Sequence, residues 1–187
     1  MMAPSQFDPV AIVAALERYG VDYVLIGGLA QVLRGVDVVT EDVDICPSFA
    51  RGNLERLNEA LAELGPAGAE VARVDEDALA RGPVEMQTEH GELKLVGSPQ
   101  GVPNGFVALR RAATRERIGR GISPLTASAG DLAAMAGALG RGEDRERLMM
   151  LRRLVELEAG REPSPRTSEQ ARIASSQTAR RAPRTTR

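Results

Sequence analysis

The sequence predicts an α/β fold, in which a short mixed β-sheet is flanked by helices and followed by a small helical C-terminal part. A short apolar run at Tyr23–Ile26 indicates a buried strand, and Gly27-Gly28 ends it. A second strand is predicted at residues 42–46, and residues 53–64 carry leucines at helical spacing. Short strands that alternate with amphipathic helices are typical of this fold class.

The first half of the chain contains clear signals for where elements begin and end. Asp8-Pro9 places a capping carboxylate and a proline at the start of a helix, which Gly20 ends. After the first strand, a short helix is predicted over residues 29–34. Asn53 is predicted to cap the leucine-rich helix over residues 53–64.

The second half is predicted to complete the sheet and then to form helices. Residues 84–90 and 92–96 are two strands, or one long strand that bends at Gly91. Ser128 is predicted to cap a helix over residues 129–139.

These elements suggest three parts of the chain. We expect a domain over residues 1–127 and C-terminal helices over residues 128–159 that pack on it. Residues 160–187 are rich in Arg, Ser, Thr and Pro, and we expect a disordered basic tail there.

Composition excludes several classes of site. A single cysteine, Cys46, excludes a disulfide framework and a cysteine-based zinc cluster, and we expect it in the core. A single histidine, His90, excludes a multi-histidine metal site. No apolar run reaches the roughly 18 to 20 residues that span a bilayer, so we expect no membrane segment and a cytoplasmic protein.

Charge is distributed unevenly along the chain. Residues 161–187 contain seven Arg and two Glu, a net charge of +5, so the total of −2 leaves −7 for the rest. An acidic body makes a nucleic-acid surface across the whole fold unexpected. The basic tail is the part suited to contact a polyanion.

Asp42 and Asp44 are the first candidate functional residues. Side chains two residues apart on a strand point to the same side, with about 7 Å between their Cα atoms. At an effective dielectric near 20, two such charges repel by roughly 2 kcal/mol, and hard oxygen ligands of this kind suit Mg²⁺. The alternative is a solvated edge strand, but the apolar Val43 and the following Cys46-Pro47 favour burial of one face.

The two glycines Gly27-Gly28, which come just before a predicted helix, are a second candidate. The free N–H groups at the start of that helix suit a phosphate; the alternative is a plain tight turn.

These segments together resemble a known superfamily. The pairing of LIGGLA with TEDVDI, followed by GELKLVG and SAGDLAAMAGALGRGEDR, is similar to nucleotidyltransferases related to DNA polymerase β. The likeness covers roughly residues 19–158. It is most similar to small bacterial members of the AbiEii-like or minimal type, many of which are linked to toxin–antitoxin loci.

The resemblance implies a function and a site. Gly27 and Gly28 would hold the triphosphate of an NTP, Asp42 and Asp44 would bind Mg²⁺ with the nucleotide, and Thr40 would orient the loop before them. The implied reaction is Mg²⁺-dependent transfer of a nucleoside monophosphate to a hydroxyl of RNA, such as a tRNA end, or of a protein. Phosphoryl transfer requires positioning and charge neutralisation above all, which such a site supplies.

The sequence departs from the family at its third acidic position, where Gly91-Glu92-Leu93-Lys94 places the only lysine of the chain. Three interpretations follow. Lys94 pairs with Asp42 or Asp44 and replaces the cation, which leaves a catalytically silent binding or regulatory module. Alternatively, Glu92 is the third carboxylate and a catalytic residue. In the third interpretation, Lys94 contacts the nucleotide phosphates.

A second departure concerns arginine. Relatives often carry an arginine four residues before the first aspartate, where this chain has Val38. Arg34 either substitutes for it or is a solvated helix residue, and we expect the latter. Arginines between Arg110 and Arg120 either meet a nucleic acid or triphosphate, or form a solvated helix face.

Overall fold

The structure is a computed structural model, and it describes residues 7–65, 72–140 and 144–159. The helices in these residues are α1 (Pro9–Arg18), α2 (Gly27–Leu33), α3 (Arg51–Leu64), α4 (Glu76–Arg81), α5 (Gly105–Ala112), α6 (Ala129–Leu139) and α7 (Asp144–Ala159). The strands are β1 (Tyr23–Ile26), β2 (Asp42–Pro47), β3 (Val84–Thr88), β4 (Gly91–Leu95), β5 (Thr114–Arg115) and β6 (Leu125–Thr126).

The chain separates into two compact units, Met1–Arg152 and Arg153–Arg187. The first unit contains the sheet, the helices α1 to α6 and the beginning of α7. The described residues of the second unit are the end of α7. The tail predicted over residues 160–187 lies outside the described residues.

The strands of the described residues form one mixed sheet in the order β3-β4-β2-β1-β6-β5. The two central strands, β1 and β2, are antiparallel, and each has a parallel neighbour on its other side, β6 and β4 respectively. The outer strands β3 and β5 are antiparallel to their neighbours. Since β3 and β4 form a hairpin, the two-strand prediction for this segment is confirmed, and the single bent strand is wrong.

Alternation along β2 and β4 gives this half of the sheet one apolar face and one polar face. Val43 lies beside Leu93 and Ile45 beside Leu95, and all four side chains are fully buried. The cross-strand pairs on the polar face are Asp42 with Glu92, Asp44 with Lys94, Glu85 with Lys94, and Gln87 with Glu92. The polar face therefore gathers the charged residues.

The described helices complete an aliphatic core. α1 contacts β2 and α3, and α2 contacts both β1 and β2. Among the described residues, the largest fully buried side chains are all leucine or isoleucine, including Ile12 and Leu16 of α1 and Leu57 and Leu61 of α3. This agrees with a sequence in which aromatic residues make up 3%.

Two predicted helix caps are confirmed, and one is wrong. Asp8 accepts a hydrogen bond from the first turn of α1, and Ser128 accepts one from the first turn of α6. Asn53 instead lies inside α3, where it is 2% exposed. Its carboxamide bonds to the Asp22 amide (2.6 Å), the Asp22 carbonyl (2.9 Å) and the Ser48 carbonyl (2.9 Å). Asn53 therefore supplies hydrogen-bond partners to backbone groups just before β1 and just after β2, because buried polar groups require partners.

Arg34 is not a solvated helix residue, so that prediction is wrong. It follows the last residue of α2, and its side chain is 10% exposed. The guanidinium donates to the Ala127 carbonyl (3.0 Å) and the Thr126 carbonyl (3.0 Å), and to the side chains of Thr114 (2.9 Å) and Glu116 (3.1 Å). It thus ties the end of α2 to the β5–β6 hairpin.

Candidate functional site

The start of α2 lies directly against the carboxylate of Asp44. Gly27 has a φ of 68°, and a Cβ atom at this position would overlap the Asp44 carboxylate. Because only glycine combines this backbone conformation with such a close approach, the sequence needs Gly27 here. Gly28 follows it, and its backbone amide hydrogen-bonds to Asp44. The group that approaches the Gly-Gly turn in the structure is therefore an aspartate of the neighbouring strand.

Thr40 connects the second glycine to the first aspartate. A Cβ atom on Gly28 would lie 2.6 Å from the Thr40 hydroxyl, so glycine is also required by space at this position. The same hydroxyl lies 3.0 Å from Oδ1 of Asp42 and 3.2 Å from the Asp42 carbonyl oxygen. Thr40 therefore holds Asp42 at the start of β2, beside the beginning of α2.

Glu92 and Lys94 face the same side as the two aspartates, but each pairs with the outer strand β3. The Lys94 ammonium lies 2.6 Å from Oε1 of Glu85. The Glu92 carboxylate accepts a hydrogen bond of 2.8 Å from the Gln87 amide. Among the described residues, the ion pair of Lys94 is thus with Glu85 rather than with Asp42 or Asp44.

The surroundings of Asp44 disfavour the ionised form of its carboxyl group. Burial, followed by the nearby charge of Asp42, raises the pKa of Asp44 to about 6. The charge of Lys94 and the Gly28 amide lower this pKa but do not offset the rise. The hydrogen bond from Lys94 to Glu85 is the largest of the effects that raise the pKa of Lys94, and the charges of Asp44 and Asp42 add to it. The ammonium therefore stays protonated near neutral pH.

Asp44→Asn is expected to stabilise the protein at pH 8. The folded state raises the pKa of Asp44 from 3.8 to about 6, so it disfavours the ionised form. The resulting destabilisation is absent well below pH 3.8, grows between pH 3.8 and pH 6, and is complete above pH 6. After allowance for partial exposure, we expect a gain of about 1 to 2 kcal/mol at pH 8 and almost none at pH 4.

Urea unfolding at the two pH values measures this difference. Asp77→Asn on α4 is the matched control, because Asp77 is exposed. An equal effect of both substitutions at pH 8 would contradict the prediction.

The site has a suitable but incomplete set of ligands for a divalent cation. Among the described residues, no group of three or more His, Cys, Asp or Glu side chains is arranged to hold a metal ion. Asp42 and Asp44 are two hard oxygen donors, and burial together with the charge of Asp42 disfavours the ionised form of Asp44. Mg²⁺ commonly binds through one or two carboxylates together with substrate phosphates and water. The residues present therefore fit a Mg²⁺ that arrives with a nucleotide better than a cage made of protein alone.

The other candidates lie outside this arrangement. Cys46 is fully buried, as predicted, and burial raises the pKa of its thiol to about 12, which makes it unsuited as a nucleophile. His90 is half-buried in the β3–β4 turn, where its carbonyl accepts from the Asp8 amide.

The arginines of residues 110–120 are exposed, and α5 contains only the first two of them. Of the two alternatives for this cluster, a single solvated helix face is wrong, because the helix ends at Ala112 and the other arginines lie on β5 and in the segment that connects β5 to β6. Arg110 lies over the Phe106 ring at 5.7 Å, and Arg115 donates to the Ser123 carbonyl at 2.8 Å.

Sequence reasoning did not select Glu85 or Gln87. Both lie on β3, alternate with Val84 and Met86, and engage the two polar residues of β4. The alternation of residues along the strand could have predicted that Glu85 and Gln87 share one face of the sheet. Their partners on β4 could not be predicted in this way, because they depend on the register of the hairpin.

Comparison with known proteins identifies the architecture. No protein-family model matches the chain, and neither does any curated protein. Among solved structures, the chain is similar to a crystal structure from Thermotoga maritima of a protein provisionally described as a nucleotidyltransferase. The TM-score is 0.50 at 18% sequence identity, over 75% of this chain and 88% of the other. The fold is nucleotidyltransferase-like.

The nucleotidyltransferase-like fold confirms the predicted α/β class with a mixed sheet and flanking helices. At this level of identity the comparison concerns the fold alone. No described helix has the length and apolar character needed to cross a membrane.

Proposed function

We propose that this protein binds a nucleoside triphosphate together with Mg²⁺ and transfers a nucleoside monophosphate to a hydroxyl group. The observation that carries the proposal is the Asp44 carboxylate, which is packed against Gly27, lies on the same face as Asp42 and is electrostatically unsatisfied. A cation bound beside this pair would offset the repulsion between the two carboxylates. The nucleotidyltransferase-like fold supports a phosphate-bearing ligand for the same position.

The proposed roles follow from the contacts of each residue. Gly27 and Gly28 let the start of α2 lie directly against Asp44 and Thr40, and the triphosphate is proposed to bind beside this turn, next to the two aspartates. Asp42, oriented by Thr40 at 3.0 Å, and Asp44 would be the protein ligands of the metal. A Mg²⁺ bound there would neutralise charge that develops on the phosphates.

Glu92 is the proposed catalytic base. It pairs with Asp42 across the sheet, and its carboxylate accepts a hydrogen bond of 2.8 Å from the Gln87 amide. In the proposed step Glu92 takes the proton of the acceptor hydroxyl, the hydroxyl oxygen bonds to the α-phosphorus, and the bond to pyrophosphate breaks. Lys94, the only lysine, is the proposed contact for the phosphates.

The acceptor and biological setting rest on sequence resemblance. We propose RNA, such as a tRNA end, or a protein side chain as the acceptor, and a role as an AbiEii-like component of a toxin–antitoxin pair. The net charge of +5 over residues 161–187 supports contact of this segment with nucleic acid. Nucleoside triphosphates are cytoplasmic metabolites, which agrees with the location expected from the sequence.

Isothermal titration with each Mg·NTP tests the site. We expect the wild type to bind and the Asp42→Asn/Asp44→Asn double variant to bind about tenfold more weakly or not at all, because both proposed metal ligands lose their charge. The matched control is Glu76→Gln/Asp77→Asn, which also removes two negative charges, but from exposed positions on helix α4. Equal binding by wild type and the Asp42/Asp44 variant would overturn this assignment. Incubation with labelled NTPs and total RNA then tests transfer.

The second candidate is a catalytically silent relative that acts as a binding or regulatory module. Lys94 at the third acidic position favours it, together with the lack of a three-residue metal group among the described residues. This candidate predicts that no Mg·NTP binds to the wild type at the Asp42–Asp44 pair. The same titration therefore separates the two functions.

A further inference from the structure

Lys94 occupies the middle of a row of charged residues that crosses three strands. The register places Glu85 of β3 on one side of it and Asp44 of β2 on the other. Adjacent strands are about 4.8 Å apart, so a lysine side chain in the middle strand can reach either neighbour. Its position therefore decides whether its charge lies over the outer strand or over the two aspartates.

The structure shows the ammonium on the outer side. The Lys94 Nζ atom lies 2.6 Å from Oε1 of Glu85, and both side chains are accessible, at 28% for Lys94 and 58% for Glu85. In the next row, Gln87 bonds to Glu92 at 2.8 Å. The outer strand thus engages both polar residues of β4, and the inner carboxylates keep their own partners, Thr40 for Asp42 and the Gly28 amide for Asp44.

We propose that Glu85 is a positioning residue that holds the Lys94 ammonium away from Asp42 and Asp44 and so leaves them available to a divalent cation. The inference rests on the proposed function, because it assumes that this pair binds a cation. Without Glu85, the nearest carboxylate in the row of Lys94 is Asp44. The ammonium then turns inward, neutralises the pair and competes with the metal.

A cycle of four proteins tests the proposal: wild type, Glu85→Gln, Lys94→Met and the double variant. The probe is Mn²⁺, and its binding is followed by loss of the free-ion paramagnetic resonance signal. We expect Glu85→Gln to weaken Mn²⁺ binding roughly fivefold in the wild-type background and less than about twofold in the Lys94→Met background. The loss of Mn²⁺ affinity is expected to be smaller in the Lys94→Met background because Glu85 acts through the Lys94 ammonium, which is absent there.

Two outcomes of this cycle would overturn the inference. If Glu85→Gln weakened Mn²⁺ binding equally with and without Lys94, Glu85 would act only through its own charge. No change in either background would mean that Lys94 does not approach the aspartates. Glu76→Gln controls for loss of one negative charge at an exposed position of α4.

A measurement without metal separates this inference from the proposed function. Since the chain has one lysine, protein labelled with ¹³C,¹⁵N-lysine gives a single ε-carbon signal. In the wild type we expect Asp44→Asn to shift this signal little, and in the Glu85→Gln background we expect a clear shift. If that result holds while neither Mn²⁺ nor any Mg·NTP binds the wild type, the proposed function fails and the positioning role of Glu85 stands. A signal equally sensitive to Asp44 in both backgrounds would contradict the positioning role itself.

Discussion

Gly27→Ala is expected to destabilise the protein by about 2 to 4 kcal/mol and to abolish cation binding. Two effects add together. An alanine at a φ of 68° is strained, and its Cβ atom would overlap the Asp44 carboxylate. Relief of the overlap moves α2 or Asp44, and either movement separates the parts of the proposed site. Urea unfolding measures the stability, and titration with Mg·NTP measures the site.

Gly35→Ala provides a matched control for this prediction. Gly35 also has a positive φ, of 84°, but a Cβ atom there would have no neighbour within 4 Å. We expect it to lose only about 1 to 2 kcal/mol, which is the cost of the backbone conformation alone. The difference between the two variants measures the overlap with Asp44. Equal losses, with cation binding intact in both variants, would show that Asp44 moves aside freely.

Arg34→Met is expected to cost about 2 to 3 kcal/mol. The guanidinium bonds to two backbone carbonyls at the end of β6 and to the side chains of Thr114 and Glu116, and it is 10% exposed. Methionine fills much of the volume but removes the Arg34 donor from the two backbone carbonyls, whose desolvation is then less well compensated. The midpoint of urea unfolding, followed by circular dichroism, reports the loss.

The control for Arg34 is Arg51→Met. Arg51 makes an ion pair with Glu55 one helical turn away, but its side chain is 95% exposed. Exposed pairs of this kind contribute little, so we expect a change below about 0.5 kcal/mol. If the two variants unfold at the same urea concentration, Arg34 does not have the structural role that its contacts indicate.

Features determined by neighbouring residues were predictable from the sequence. The buried strand before Gly27, the capping carboxylate of Asp8 and the common face of Asp42 and Asp44 depend on a few adjacent positions. Local sterics and alternation fix them, and the structure shows each one.

The errors concern residues whose partners are distant in the chain. Asn53 has the right chemistry for a helix cap, but its partner Asp22 is 31 residues away. Arg34 follows a short helix and resembles a solvent-facing residue, yet its partners lie 80 to 93 residues further on. Which side Lys94 turns to depends on the register of three strands. None of these partners can be predicted from the residues that are adjacent in sequence.

The pairing of β1 also has a consequence for synthesis of the chain on the ribosome. One neighbour, β2, follows within about twenty residues, whereas the other pairing joins Leu25 to Thr126. A nascent chain that does not yet include Thr126 has an apolar strand β1 with one unpaired edge, and such an edge is a template for association with other chains. Contacts so far apart in sequence also slow folding, because a long loop must close before they form. The sheet that carries the proposed site can therefore close only after Thr126 has been synthesised, and until then the open edge of β1 can associate with other chains.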